Sequence, residues 1–162
     1  MEPTATMLRD VLDGDLPIFF EHQQDADARR MAAFPGREWD AFVEHWRTKV
    51  LAEPSARVKT VVSNGRVAGY VASWERDGER LVAYWFGKEY WGRGVATAAV
   101  AEFLTAHETR RPLHAYVAGA NVSSIRVLEK AGFQALGPSA VGADGVDEIL
   151  FRLDGQPPRS EP

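Results

Sequence analysis

The chain contains no cysteine in its 162 residues. That excludes a disulfide framework, a thiolate metal site and a cysteine nucleophile. It also lacks any apolar run approaching the length of a membrane span. The opening Met1-Glu2-Pro3-Thr4 has neither the basic region nor the apolar core of a secretory leader. The cytoplasm is therefore the expected compartment, with no membrane partner. Surplus positive charge is missing too: the formal net charge is −4. This argues against a general nucleic-acid binder, and mild acidity weakly favours a cationic or amine substrate. What is present is ordinary for a globular protein, with 45% hydrophobic and 26% charged residues. The length suits one domain with a sizeable core, placed at residues 1–154. Residues 155–162 carry three prolines, Pro157, Pro158 and Pro162, and read as a disordered tail. No internal repeat is seen.

The stretch Leu81 to Thr97 organises the chain. Leu81 to Phe86 is apolar and aromatic, the composition of a buried strand. Gly92 and Gly94 follow, and then an alanine-rich helix former from Val95 to His107. A strand, a glycine-bearing loop and a helix in that order make an anion site, because the first helical N–H groups have no intrahelical partner and the dipole is positive there. Glycine lets a ligand approach the backbone without a Cβ in the way, and Arg93 adds a permanent charge. On the loop alone, a tight turn without a ligand explains the glycines equally well. A P-loop needs Gly-Lys-Ser/Thr where this chain has Gly94-Val95-Ala96. A dinucleotide fingerprint starting at Gly92 would need a glycine at Thr97 and an acidic residue after the next strand. Leu113 to Ala118 carries no acidic residue and ends in Gly119, so both motifs fall behind.

Around this centre the remaining elements can be placed. Met7 to Leu12 reads as a short strand. Asp15 caps a helix with Pro17 in its first turn, running to about Gln24. Glu21, His22, Asp25 and Asp27 cluster near its end, as either a solvated turn or an acidic rim facing substrate. Trp39, Phe42, Val43, Trp46 and Val50 recur at helical spacing before Pro54, a stripe that reads as core, although Trp39 and His45 could reach an acceptor. Arg57 to Ser63, the turn Asn64-Gly65, Arg66 to Glu75 and the turn at Asp77-Gly78 then lead into the central strand. Three consecutive strands form an antiparallel meander, unlike a doubly wound sheet. Pro112 precedes the strand Leu113 to Ala118, which a helical crossover makes parallel to the central strand. Asn121 caps a helix in which Ile125 and Leu128 face inward and Gly132 ends it. Phe133 to Leu136 and Asp147 to Leu153 are the last strands, with a turn at Gly142 to Gly145.

Two segments carry a family resemblance. Tyr90-Trp91-Gly92-Arg93-Gly94-Val95-Ala96-Thr97 resembles the acyl-coenzyme A pyrophosphate loop of the GCN5-related N-acetyltransferase (GNAT) family, Gln/Arg-x-x-Gly-x-Gly/Ala. Gly94 and Ala96 match, while Trp91 stands where Gln or Arg is usual, as in the ribosomal-protein-acetyltransferase-like branch. Asn121 to Phe133 resembles the family's Asn-x-x-Ala/Ser-x-x-Leu/Val-Tyr-x-Lys-x-Gly-Phe. Asn121, Ser124, Val127, Lys130, Gly132 and Phe133 match in register, and Leu128 replaces the usual Tyr. Both motifs occur in the expected order, and the resemblance covers roughly Arg57 to Leu153. It implies an α/β (α+β) fold: a mixed, mostly antiparallel sheet of roughly six to seven strands, a splayed parallel pair and about four flanking helices. It also allows a homodimer.

The implied activity is transfer of an acetyl group from acetyl-coenzyme A, as co-substrate and without a metal, to an amine. The acceptor would be a small molecule or a protein N-terminus. The resemblance lays the pyrophosphate on the backbone of Trp91, Gly92, Arg93, Gly94, Val95, Ala96 and Thr97. The pantetheine arm would pair with the central strand at Tyr84, Trp85 and Phe86, one of whose N–H groups would polarise the thioester. Asn121, Ser124 and Lys130 join the cofactor-binding group. The amine must lose a proton, costing roughly 4–5 kcal/mol for a lysine-type amine at neutral pH and about 1 kcal/mol for an α-amine. Some family members use a Glu on the central strand. Leu81 to Phe86 has none, so Glu75, Glu79 and His114 are the nearby bases, with a water chain as the alternative. Ser124 is the candidate acid for the leaving thiolate, with Tyr116 second. No Ser-His-Asp arrangement marks an acyl-enzyme, so direct attack is expected. The competing readings are a catalytically silent acyl-coenzyme A-binding or regulatory module and a transferase for another acyl group.

Overall fold

The strand pattern of the sequence places its apolar residues on one ladder after another. In the computed structural model, which describes residues 5–32, 36–138 and 148–155, they build a seven-stranded sheet. Strand β1 is Thr6–Arg9, β2 Arg57–Ser63, β3 Arg66–Arg76, β4 Glu79–Phe86, β5 Leu113–Ala118, β6 Gln134–Pro138 and β7 Glu148–Leu153. The helices are α1 Leu16–Gln24, α2 Ala26–Ala32, α3 Trp39–His45, α4 Val95–Glu102 and α5 Val122–Lys130. The spatial order is β1-β2-β3-β4-β5-β7-β6. Every neighbouring pair is antiparallel except β4–β5.

The hairpin turns form as the sequence requires. Asn64 has φ +49° and Gly65 +81°, and Asp77 and Gly78 have +52° and +82°. These left-handed conformations match the twist of two-residue hairpins. The β2–β3–β4 meander follows from them.

Side chains alternate across each strand, so the two faces of the sheet acquire different cores. Under α4 and α5, Val82, Phe86, Val95, Ala99, Val100, Phe103, Leu113, Ala115, Val117 and Leu128 pack together. Under α1 and α3, Leu16, Phe19, Phe42 and Trp46 form a second cluster joined by Tyr70. Each fully buried Phe or Leu contributes on the order of 1.5–3 kcal/mol over an exposed one.

Several expectations are corrected. The first strand spans Thr6–Arg9 and not Met7 to Leu12, because Asp10 leaves the ladder to pair with Lys59 at 2.6 Å. Asp15 starts α1 but its side chain makes no cap bond. Its carboxylate instead accepts both Arg9 guanidinium nitrogens, at 2.7 and 2.9 Å, the Thr60 hydroxyl at 2.7 Å and the Leu12 N–H at 2.8 Å. After α1 ends at Gln24, where a turn or acidic rim is expected, a second helix follows, α2, whose start is capped by Asp25 accepting the Ala28 N–H at 2.8 Å. The five α-helices among the described residues agree with the expectation of about four. The helix expected from Val95 to His107 changes to a π-helical turn at Phe103–His107, and α3 ends in a similar turn at Trp46–Val50. Phe133 enters the core just before β6 begins at Gln134. The Gly142 to Gly145 turn, Asp147 and residues 156–162 lie outside the described residues.

Candidate active site

The two parallel strands β4 and β5 are joined at a single register position, Leu81 opposite His114. Beyond it their ladder stops, although β4 continues to Phe86 and β5 to Ala118. Because the strands run in the same direction, the gap opens toward their C-terminal ends. The glycine loop and α4 follow the end of β4, and Asn121 and α5 follow the end of β5. Two helix N-termini therefore stand at the mouth of one opening, each carrying partial positive charge.

A cleft of about 370 Å³ occupies this gap. Its walls come from β4 (Tyr84, Trp85, Phe86), the loop and the start of α4 (Tyr90, Trp91, Gly92, Gly94, Ala96, Thr97), and α5 with its cap (Asn121, Ser123, Ser124, Arg126, Val127, Lys130). Ala28 and Met31 of α2 close the far end. The cleft thus passes from the loop through the split sheet to α2.

The loop has the open backbone that an anion would need. Gly92 has φ +72° and Gly94 φ +79°, conformations that suit glycine, and an added Cβ would meet nothing within 4 Å. The space over the loop is therefore open. Gly94 caps α4, and the N–H groups of Val95, Ala96 and Thr97 are by position the first-turn donors without an intrahelical acceptor. The Trp91 indole N–H donates to the Phe86 carbonyl at 3.1 Å, tying the loop back to the end of β4. Trp91, at the position usually held by Gln or Arg, thus braces the loop.

On the opposite wall, Asn121 Oδ1 accepts the Ser124 N–H at 3.3 Å, a helix cap whose residue also lines the cleft. The Tyr84 hydroxyl lies 2.8 Å from Ser124 Oγ and donates to the Ser124 carbonyl at 3.1 Å. Burial pushes the Tyr84 phenol up to about 12, the Ser124 hydrogen bond opposing the rise. Leu128 is fully buried in the core and leaves no hydroxyl there.

The cleft therefore gathers Tyr84, Trp85, Phe86, Trp91, Gly92, Gly94, Ala96, Thr97, Asn121, Ser124 and Lys130 of the expected cofactor group. Val95 packs into the core at 1% exposure, so only its backbone is available, and the Arg93 side chain is exposed outside the wall. The three other candidate catalytic residues are not on the cleft wall. Glu75 is exposed near the end of β3, opposite Arg80. Leu113, Ala115 and Val117 point into the core under α4, so alternation turns His114 and Tyr116 to the other face. His114 stands at the vertex of the split, its Nδ1 3.5 Å from Glu79 Oε2 without hydrogen-bond geometry.

Arg126 and the α2 pair Ala28 and Met31 were not anticipated. Arg126 had a signal: Ser123, Arg126, Val127 and Lys130 recur at i, i+3, i+4 and i+7, one face of a helix. The acidic cluster after α1 disperses into separate tasks. Asp25 caps α2, Asp27 pairs with Arg30 and Lys88, and Glu21 is exposed. The His22 ring packs over Gly87, where a Cβ would come within 2.6 Å of Nε2, and burial lowers the basicity of this imidazole against the opposing pull of Glu89 and Glu21.

A split parallel pair, a glycine loop at a helix start and a helix cap facing it across a cleft together define an acyltransferase class. The chain belongs to the GNAT acetyltransferase family: the family model described as "Acetyltransferase (GNAT) domain" matches residues 6–134. Among curated proteins none matches the sequence. Solved structures share the fold. An aminoglycoside acetyltransferase AAC(6')-Ib in complex with coenzyme A superposes with TM-score 0.75 at 22% identity, over 93% of this chain and 95% of that one. A GNAT-family acetyltransferase from Bacillus anthracis gives TM-score 0.76 at 17% identity, over 92% and 94%. Spermidine N-acetyltransferase from Vibrio cholerae, with coenzyme A and spermine, gives TM-score 0.75 at 16% identity, over 92% and 95%. At these identities the likeness is one of fold. Among the described residues no helix is long and apolar enough to cross a membrane, and no cluster of metal-ligating side chains occurs.

Proposed function

We propose that the chain transfers an acetyl group from acetyl-coenzyme A directly to a primary amine, on a small molecule or a protein N-terminus. The observation that carries this reading is the single-position ladder between β4 and β5 beside a glycine-capped helix. Past Leu81, the edge of β4 that faces β5 has backbone donors and acceptors without a strand partner. An extended pantetheine arm fits such an edge as an added strand. The pyrophosphate then meets the N–H groups from Gly92 to Thr97, with Arg93, Arg126 and Lys130 as the nearby cations. Coenzyme A accompanies two of the fold neighbours named above, which supports this occupant.

The chemistry follows from the walls. A backbone N–H between Tyr84 and Phe86 polarises the thioester carbonyl. The amine enters from the α2 face, where Ala28 and Met31 bound the cleft and where His114 and Tyr116 project. Its nitrogen bonds to the acetyl carbon, the carbon–sulfur bond breaks, and one proton leaves the nitrogen while one reaches the sulfur. His114, at the vertex of the split with Glu79 beside it, is the base on that face. Tyr116 lies two residues nearer the mouth, and Glu75 stands farther off at the end of β3. Ser124 serves the sulfur. Among the described residues no histidine lines the cleft to activate Ser124 as a nucleophile, which favours direct attack of the amine.

The test is turnover of acetyl-coenzyme A with a panel of α-amines, polyamines and aminoglycosides. An accepted amine should yield free coenzyme A and N-acetylated product in equal amounts. Ser124→Ala should then lower turnover by about 10–100-fold while changing cofactor affinity far less. No product with any amine, in a protein that binds the cofactor, would contradict the reading. An unchanged rate at saturating substrates would leave Ser124 only a structural role.

A further inference from the structure

One contact in the cleft is required neither by the backbone chemistry of the loop nor by the helix cap. It joins a phenol on β4 to a serine on α5 across the two walls. Tyr84 Oη is 2.8 Å from Ser124 Oγ and 3.1 Å from the Ser124 carbonyl oxygen. A phenol has one proton to give. Donated to the carbonyl, it leaves Oη as the acceptor for the serine hydroxyl, and Ser124 has no proton to offer the cleft. Donated to Oγ, it leaves the Ser124 proton free to point at a ligand. The choice needs only a hydroxyl rotation, because the Ser124 backbone is fixed from the other side by the Asn121 cap.

We propose that Tyr84 is a positioning residue that aims the Ser124 hydroxyl proton at the sulfur of bound coenzyme A. The inference rests on the reading of the cleft as the cofactor site. A sulfur that gains negative charge as the carbon–sulfur bond breaks attracts the serine proton and selects the second arrangement. Tyr84 then donates to Oγ, which makes Ser124 the better donor. With its phenol pushed up to about 12, Tyr84 remains a hydrogen-bond donor across the range in which thiols ionise, which for a free cysteine lies near 8.5. It does not itself deliver the proton. Among the described residues the charged side chains on the cleft wall are Arg126 and Lys130, both from α5. The loop adds the phenol of Tyr90, and the cleft residues of β4 and α2 add no charge. These groups persist when only the Tyr84 hydroxyl is removed.

The absence of cysteine makes the test clean, because the cofactor thiol is the only thiol in the complex. Coenzyme A bound to the full chain is titrated through the ultraviolet absorbance of its thiolate. In the parent protein the bound thiol should ionise below the free one. Tyr84→Phe should move this upward by about one pH unit, tenfold in the ionisation constant. Ser124→Ala should move it at least as far, and the double variant no farther than Ser124→Ala alone. The affinity of Tyr84→Phe for coenzyme A near neutral pH, where the thiol is protonated, should change much less than the ionisation constant. An unmoved ionisation in Tyr84→Phe would overturn the positioning role, as would additive shifts in the double variant. A tenfold loss of neutral-pH affinity would make Tyr84 a structural wall and overturn it as well. Failure of the parent protein to bind coenzyme A would instead overturn the reading of the cleft.

Discussion

Tyr70 and Tyr84 are two partly buried tyrosines on adjacent strands, and desolvation pushes both phenols up to about 12. Tyr70 sits in the aromatic cluster beneath α1 and α3, its ring 4.8 Å from Trp46 and 5.2 Å from Phe19, with the Gln23 amide donating to its hydroxyl at 3.4 Å. Tyr84 sits beneath α5 and holds Ser124 at 2.8 Å on the wall of the cleft. The same displacement of acidity thus occurs in a closed core and at an open site. A perturbed group is a functional candidate only when geometry opens it to a ligand. The opening here is made by the sheet. The region under α1 and α3 is filled by interlocking rings around Tyr70, whereas beside Tyr84 the strands β4 and β5 part and the cleft runs from the α4 and α5 side through the sheet to α2.

The comparison predicts where each face breaks. The largest effect belongs to the cleft. Gly94→Glu would put a side chain on a residue with φ +79° and a carboxylate over the anion site. The variant should bind acetyl-coenzyme A at least 100-fold more weakly by calorimetry while its circular dichroism stays native. Retained affinity in the folded variant would remove the loop from the site.

A structural charge network gives the next effect. Glu108 is wholly buried, accepting Ser73 Oγ and Arg80 Nε at 2.6 Å each and the Arg110 N–H at 3.1 Å. Burial alone would raise its carboxyl, but the bonds from Ser73, Arg80 and the Arg110 N–H hold it below the usual range. Glu108→Gln should cost about 3 kcal/mol of unfolding free energy, because Arg80 is left buried beside a neutral amide. The pH dependence has a fixed sign. A lowered folded value gives stability that is fully present above the unfolded value of about 4.3, and that is lost as pH falls through the folded value. Denaturant melts from neutral pH downward should show this loss in the parent and less of it in Glu108→Gln. Parallel pH curves would remove Glu108 from the account.

The smallest effect is the counterpart of the Tyr84 experiment. Tyr70→Phe removes a long hydrogen bond within the closed face, so it should change stability by about 1 kcal/mol or less. It should leave the ionisation of bound coenzyme A where the parent has it. A shift equal to that of Tyr84→Phe would dissolve the distinction between the two faces.

The cleft is readable in the chain because its parts are local. The strand Leu81 to Phe86, the two glycines and the helix start lie within one short stretch, and Asn121, Ser124 and Lys130 within another. Spacing alone puts each set on one element. The opposite face is assembled from the first fifty residues, and there the reading loosened. Ala26–Ala32 is a short run with three charged residues and no apolar periodicity, so its pattern resembles a turn, although Asp25 before an alanine-rich run is a cap signal. His114 and Tyr116 were placed on the correct strand, but the face they point to depends on which of their neighbours enter the core. Glu108, Arg80 and Ser73 meet across separate elements, and no local pattern marks such a network. The Tyr84 hydroxyl carries no local signal, because its partner Ser124 is 40 positions away.

The central claim is that the gap between β4 and β5 is a cofactor site, and the most direct measurement is calorimetric titration of the purified chain with acetyl-coenzyme A, coenzyme A and succinyl-coenzyme A. The account predicts saturable binding of about one molecule per chain in the micromolar range, tightest for the acetyl form and lost in Gly94→Glu. Absence of binding to all three in the folded protein would contradict it.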